Sequence, residues 1–403
     1  MAPRKVLSIS PRFLRLPPLG TLRWWGHRAV ETVARGIVRP QLLPLLRQAT
    51  LEALARSGSA APAAEATDPP EHVAVTPPKI AVDPRPARFA AAVATVVAGY
   101  DTDESRLWTL RDASFSLPAG LVSVDGRVPA ESLVQRIWPH SYQYLPLLRL
   151  ARSEGDVVRP GCAFTFPHWN NIYHWLAAML PLALVLHEQT DLPLYVPQGG
   201  PRFTVKSLEL LGIADRCVAL EDGIYRCESL TVATIPGHGI DRPSPRHVQR
   251  VRRALLERLD VDAGARRRLY VSRGDAADRR VLNEEEVVEA LAALGFERVI
   301  LGQLPLPAQL RAFAEAEVVI GAHGAGLANA IVAPECAWLI ELVGDKVVNP
   351  MYAALASIIG ARYGYVRVAD SYRDHVARIP DVVEAARKAL SELTPPAAAT
   401  AQA

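Results

Sequence analysis

Val318-Val319-Ile320-Gly321-Ala322-His323-Gly324-Ala325-Gly326-Leu327 carries a short apolar run into a His-Gly-Ala-Gly turn, and an apolar segment follows at once. The run is predicted to be a buried strand, the turn a glycine loop, and the remainder the start of a helix. Glycines let a backbone approach a ligand closely, and the first N–H groups of a helix lack internal partners and attract anions. A histidine beside them can donate to the same anion. Two readings stand side by side: a phosphate-binding turn, as for a nucleotide, or glycines that only relieve crowding where helix meets sheet.

The segments around this turn alternate strand and helix. Leu269 to Ser272 is predicted as a strand that opens into Arg273-Gly274-Asp275. A helix follows from Glu284 to Leu294, with Asn283 as its cap, Glu286 completing a capping box and Gly295 ending it. Arg298–Leu301 reads as a strand, Pro307–Ala316 as a helix, Trp338–Leu342 as a strand, Met351–Ile359 as a helix and Gly364–Val368 as a last strand. Five strands, apolar on both faces and alternating with helices, predict a doubly wound, Rossmann-like domain.

Ligands bind such sheets beyond the carboxyl ends of the strands. Arg273, His323 and Glu341 all fall at or just past strand ends, and Arg279 and Arg280 lie in the loop after the first strand. Cationic side chains beside a helix N-terminus suit a diphosphate. Glu341 can accept from ribose hydroxyls; the alternative is a solvated strand end. Arg273 and Arg279 could instead pair with Asp275, Asp278 or the glutamates of the next helix, and Arg280 reads as a surface residue.

Upstream, Phe166-Pro167-His168-Trp169-Asn170-Asn171-Ile172-Tyr173-His174-Trp175 leads into an apolar helix, Leu176–Gln189, with a kink expected at Pro181. Two histidines, two tryptophans and a tyrosine within eight residues contrast with a chain that is 6% aromatic. His168, Trp169, Asn171 and Tyr173 suit contacts to a sugar ring and its hydroxyls; a buried helix start is the plainer reading. Strands at 194–196, 217–220 and 230–233, with a helix at 205–211, predict a second parallel sheet. Asp101-Thr102-Asp103 could hold a divalent metal, but a helix end or cap explains it as well.

Half of the 403 residues are apolar and 22% are charged, as in globular proteins. Residues 1–56 hold ten Arg/Lys against two Glu, so +8 sits there and the rest of the chain carries −5 of the net +3. Nucleic acid is therefore not an expected partner of the main body. The basic, Trp-bearing arm 1–56 can lie on an anionic membrane surface or pack on protein. Residues 57–78 read as an Ala/Pro-rich linker. Domains are expected at 79–238 (acceptor side) and 239–375 (nucleotide side), with a C-terminal helix and disordered tail at 376–403. The four cysteines form no C-x-x-C pair and read as small buried residues, with Cys217–Cys227 the one conceivable bridge. No secretory leader or long apolar span stands out, so a cytoplasmic protein is expected, peripheral at the inner face of the plasma membrane if the arm binds lipid.

Taken together, Tyr270-Val271-Ser272-Arg273, Arg279-Arg280-Val281-Leu282-Asn283-Glu284, Gly295-Phe296, Leu306–Ala316, His323-Gly324-Ala325-Gly326-Leu327-Ala328-Asn329, Ile340-Glu341 and the Tyr173-His174-Trp175 helix start resemble glycosyltransferase family 61 over about residues 160–370. The resemblance implies a GT-B-like α/β fold, two Rossmann-like doubly wound parallel-sheet domains facing across a cleft. It implies a nucleotide-sugar donor, commonly UDP-linked, a glycan or lipid-linked acceptor, inversion at the anomeric carbon, and no required metal or other cofactor. It also implies surface-polysaccharide synthesis of the bacterial kind. Arg273, Arg279, His323 and the backbone of Gly324, Ala325 and Gly326 would then meet the leaving diphosphate, with His174 as general base and Asp275 as its substitute. The rival reading is a catalytically inactive nucleotide-binding scaffold. An esterase using the His-Gly-Ala-Gly loop as an oxyanion hole would need a G-x-S-x-G elbow, and the chain contains none.

Overall fold

The computed structural model describes residues 48–63, 69–82, 88–129, 146, 150, 155–164, 170–234, 242–346 and 349–393. The expectations for the arm up to residue 47, for His168 and Trp169, and for the tail from residue 394 fall outside the described residues.

The strands of the second half form one six-stranded sheet in which every pair is parallel, in the order Glu297–Ile300, Arg267–Ser272, Ala316–Ala322, Trp338–Val343, Arg362–Arg367, Ile80–Val82. Without the last strand this is the 2-1-3-4-5 order of a doubly wound fold. Its direction reverses between Arg267–Ser272 and Ala316–Ala322, and the crevice beyond their carboxyl ends is the place such folds offer a ligand. All six residues of Trp338–Val343 are buried, as expected where helices cover both faces of a parallel sheet. The sixth strand departs from the sequence reading: Ile80–Val82, expected to open the first domain, completes the second sheet beside Arg362–Arg367. It is held there by Lys79 N–H donating to the Tyr363 carbonyl at 2.9 Å, and the C-terminal helix Ile379–Ser391 packs over it.

The first sheet is mixed rather than wholly parallel. Cys217–Leu220, Leu194–Pro197, Gly161–Phe164 and Gly223–Ala233 run parallel, but Leu107–Leu117 pairs antiparallel with the whole length of Gly223–Ala233, and Ala60–Pro62 adds antiparallel to that. So part of the stretch read as a linker forms an edge strand, and His72–Val73 forms another short one. Both 11-residue strands alternate only partly, because one end is buried on both faces.

The apolar segment after Asn171 is helical from Ile172 to Gln189, through a π-helical turn at Trp175–Met179. Leu180 N–H reaches back to the Trp175 carbonyl. The π turn sits just ahead of Pro181, whose missing N–H and bulky ring disfavour a regular helical turn, so the irregularity expected as a proline kink takes this form. This helix start packs against the segment after the glycine turn, and one continuous apolar core runs from the first sheet into the second. Asn283 is not a side-chain cap. Its amide donates to the Ala377 carbonyl and accepts from Ala377 N–H, both at 2.9 Å, clamping its loop to the chain after a small hairpin. The four cysteines are free; Cys162 and Cys227 are buried as expected, while Cys336 is exposed. Among the described residues no helix is long and apolar enough to cross a membrane.

Candidate active site

Gly324 follows the strand Ala316–Ala322 with extended backbone, φ 179° and ψ 161°, so it is not a glycine for conformational reasons. The reason is close approach. A Cβ added there would lie 1.8 Å from Arg273 Nη1, so the guanidinium rests directly against the turn. At Gly326 an added Cβ would meet Leu301 at 2.7 Å, the crowding role. The two readings of the turn therefore divide between its two glycines. The helix that follows, Ala325–Val332, is a 3-10 helix, and its first N–H groups have no intrahelical acceptor.

Substituting Gly324→Ala should displace only the end of a flexible side chain and cost little stability. It should weaken binding of a nucleoside diphosphate about ten- to hundredfold, the loss of one charge-assisted hydrogen bond. Calorimetric titration beside a melting curve would check both halves.

Arg273 leaves the strand Arg267–Ser272 and donates to the Asp278 carbonyl at 2.8 Å through Nη2. Ser272 and Tyr270 both donate to Glu284, and Gly274 N–H donates to Ser272 Oγ, which fixes the loop from which Arg273 projects. Burial, and then the neighbouring Arg279 charge, pull the Arg273 guanidinium down to about 10. Arg279 sits in the left-handed region at φ 59°, a strained backbone for a non-glycine residue. Its N–H donates to the Arg373 carbonyl. Of the neighbouring cations, Arg280 binds Asp374 and Arg373 binds Asp278, while Lys346 Nζ donates to the Tyr372 carbonyl. Among the described residues neither Arg273 nor Arg279 pairs with a carboxylate, so two adjacent guanidinium groups stand ready for an anion.

His323 Nδ1 donates to Glu341 Oε1 at 2.7 Å, and Tyr363 OH donates to Glu341 Oε2 at 2.5 Å. Burial and the Glu341 charge push the Tyr363 phenol well up, so it stays a donor. Glu341 is 0% exposed, inside the sheet. That corrects its expected role: with no exposed surface and a donor on each oxygen, it holds the His323 ring and does not reach a ribose. Tyr352, also buried, donates to the Gly324 carbonyl at 2.6 Å and sets its ring edge against His323.

Arg279, His323 and Ala325 line a cleft of about 360 Å³. Asn171, Tyr173 and His174 line the same cleft. Asn171 caps its helix by accepting from Tyr173 and His174 N–H groups. Tyr173 is 1% exposed with its ring edge on Tyr352, so it is packed wall and not an open stacking platform. Asp275 is not brought in: it is exposed, and its carboxylate accepts from Gly302 N–H. Asp101 is likewise outside, bonded to His72. Among the described residues no group of three or more His, Cys, Asp and Glu side chains could hold a metal ion.

The rest of the lining was missed from sequence: Lys346, Asn349 and Met351, and a small hairpin of Ala369–Ser371 with Asp374–Val376 that supplies Asp370, Tyr372, Arg373 and His375. Its strands are three residues each, too short for an alternation signal. Tyr372-Arg373 between them has no Gly or Pro to mark the turn.

The segment that bears this cleft can be compared with known proteins. Residues 172–340 match the family model Glycosyltransferase 61. The match covers less than half the chain. It takes in Tyr173, His174, Arg273, Arg279 and His323, and stops one residue before Glu341. The β-1,2-xylosyltransferase of Arabidopsis thaliana is 27% identical over 124 residues, 28% of this chain and 23% of the relative. A β-1,2-xylosyltransferase of Oryza sativa subsp. japonica is 29% identical over 114 residues, 26% of this chain and 21% of the relative. The EGF domain-specific O-linked N-acetylglucosamine transferase of Drosophila melanogaster is 36% identical over 88 residues, 21% of this chain and 17% of the relative. The chain thus spans about a fifth of the length of the curated relatives it matches.

Proposed function

We propose that the protein is an inverting glycosyltransferase that moves a sugar from a nucleotide-sugar donor, UDP-linked by preference, to a glycan or glycolipid acceptor. The observation that carries this reading is the pair Arg273 and Arg279, with no carboxylate partner among the described residues, at the switch point of a doubly wound sheet beside His323. Diphosphate is the leaving group that such a site suits. As the acceptor oxygen bonds to the anomeric carbon and the C–O bond to phosphate breaks, charge grows on the diphosphate. The two guanidinium groups, His323 and the N–H groups after Gly324 meet it. Preorganised donors of this kind are usually the largest catalytic contribution. The Asn171–His174 helix start forms the acceptor side, and the two sheets stand in for the paired domains of a GT-B enzyme. Because these groups can carry the leaving charge, turnover is proposed to need no metal. The relatives' names support trying xylose- and N-acetylglucosamine-bearing donors first. Surface-polysaccharide synthesis at the cytoplasmic face of a membrane, with residues 1–56 as the contact, completes the proposal.

The test is a thermal-shift panel of UDP, GDP, CDP and TDP, with and without EDTA. A ligand at about 100 times its Kd adds roughly 2.7 kcal/mol. One nucleoside diphosphate should stabilise the protein regardless of EDTA. Stabilisation that EDTA abolishes would end the metal-free reading, and binding without any sugar transfer would favour an inactive scaffold.

A further inference from the structure

The small hairpin at the edge of the cleft holds a second acid–base pair. Asp370 and His375 face each other directly across its two strands, in register. Side chains opposite one another on an antiparallel pair share a face, so the carboxylate and the ring meet. His375 Nδ1 lies 3.2 Å from Asp370 Oδ1. The strand's other side is fastened to the cationic loop. His375 N–H donates to the Arg280 carbonyl and Leu282 N–H donates to the His375 carbonyl, each at 2.8 Å. His375 is thus fixed relative to Arg279 by backbone bonds.

The ring is 2% exposed and belongs to the cleft wall, and among the described residues neither Nδ1 nor Nε2 has a partner in hydrogen-bond geometry. A buried polar atom without a partner costs free energy, and in a native structure it calls for an explanation. The Asp370 carboxylate, 3.2 Å from Nδ1, favours the ring proton on that nitrogen, which leaves the lone pair of neutral imidazole on Nε2. The geometry points to His375 as the general base of the transfer, with Asp370 as its positioning residue. This assignment rests on the glycosyltransferase reading and displaces His174 as the expected base. In the step, the acceptor O–H proton passes to Nε2 and the acceptor oxygen bonds to the anomeric carbon. The bond from that carbon to the diphosphate oxygen breaks with its electron pair, leaving an imidazolium against Asp370 and the diphosphate against Arg273 and Arg279.

The surroundings fit a base that works at neutral pH. Burial pulls the His375 imidazole below its usual range, and Arg279 and Arg273 add to this, while Asp370 opposes it. Asp374, next in sequence, is occupied by Arg280. The ring is therefore neutral at pH 7. Activity should be lost only as pH falls through a value below the ordinary 6.5 of histidine.

The experiment uses the full chain and whichever nucleotide sugar of a UDP-, GDP-, CDP- and TDP-linked panel the wild type turns over fastest, transfer to water included. His375→Gln should lower kcat about 10²- to 10⁴-fold, with donor KM and nucleotide binding unchanged. The acid limb of its pH profile should vanish. Added imidazole should restore part of the rate to His375→Ala, which a merely structural histidine would not allow. Asp370→Asn should shift the acid limb to lower pH, since it removes the carboxylate that most raises the imidazole. A kcat within threefold of wild type in His375→Gln overturns the assignment. So does an acid limb that survives there and disappears in His174→Gln. A wild type that turns over none of the donors removes the transferase reading, and this base with it.

Discussion

Replacing Arg273 by Met should abolish the thermal shift caused by the nucleoside diphosphate while leaving the melting temperature of the free protein unchanged or higher. Most buried-residue substitutions do the opposite, and the sign follows from the charge balance. The guanidinium is pulled down to about 10, below its ordinary range, by burial and by Arg279. A base whose folded value is depressed is disfavoured as a cation in the folded state. That cost is fully present at every pH below about 10, and it fades only as pH rises from there toward the unfolded value. At pH 7 the Met variant escapes it, and gives up in exchange the hydrogen bonds to the Asp278 carbonyl. Turnover should fall by about 10²- to 10³-fold, the usual effect of deleting one donor to a developing anion. A melting point several degrees lower, with the ligand shift intact, would make Arg273 a structural residue and remove the anion site.

The same balance separates what the sequence could reveal from what it could not. The strand at 316–322, the turn after it and the strand end at Arg273 were legible because they rest on local rules: apolar runs, glycine, and the side of a parallel sheet where ligands bind. Strand order was not local. Ile80–Val82 joins a sheet whose other strands begin near residue 267, and nothing within three apolar residues states that partner. The mixed character of the first sheet was hidden in the same way, since antiparallel pairing of Leu107–Leu117 is a long-range choice.

At the site, Arg279 and His323 line one cleft, and both follow strand ends, the local rule by which the sequence sets them on one rim. Glu341 was read as reaching the rim because strand ends are usually wet. Here the residues on both sides of it in the sheet are buried, and Tyr363, on the next strand, supplies the second donor that makes burial tolerable. The hairpin with Asp370 and His375 escaped altogether: its meaning lies in a cross-strand pair, and a D-x-x-x-x-H spacing is no signal without the pairing. Asp275 illustrates the reverse error, a carboxylate beside a catalytic-looking arginine that turns away to a backbone N–H.

Glu341 should be the costliest side chain in the site to truncate. Its carboxylate, wholly buried, is shared between His323 and Tyr363, so Glu341→Ala leaves a phenol and an imidazole without their acceptor inside the sheet and opens a void beside them. Breaking a buried pair by removing one partner costs about 3–5 kcal/mol. Denaturant unfolding should show a lower midpoint at an unchanged slope. Glu341→Gln separates stability from chemistry. An amide fills the same space and can still accept from Tyr363 while donating to His323 Nδ1. That reverses the tautomer: with Nδ1 now accepting, the ring proton sits on Nε2, and a ring protonated on both nitrogens would lose the bond to residue 341. Nucleotide binding should then fall modestly and kcat more, because a carboxylate supports charge on the ring as the diphosphate leaves and an amide does not. If Glu341→Gln kept full turnover, a neutral His323 would suffice, and the carboxylate would serve only to hold the ring in place.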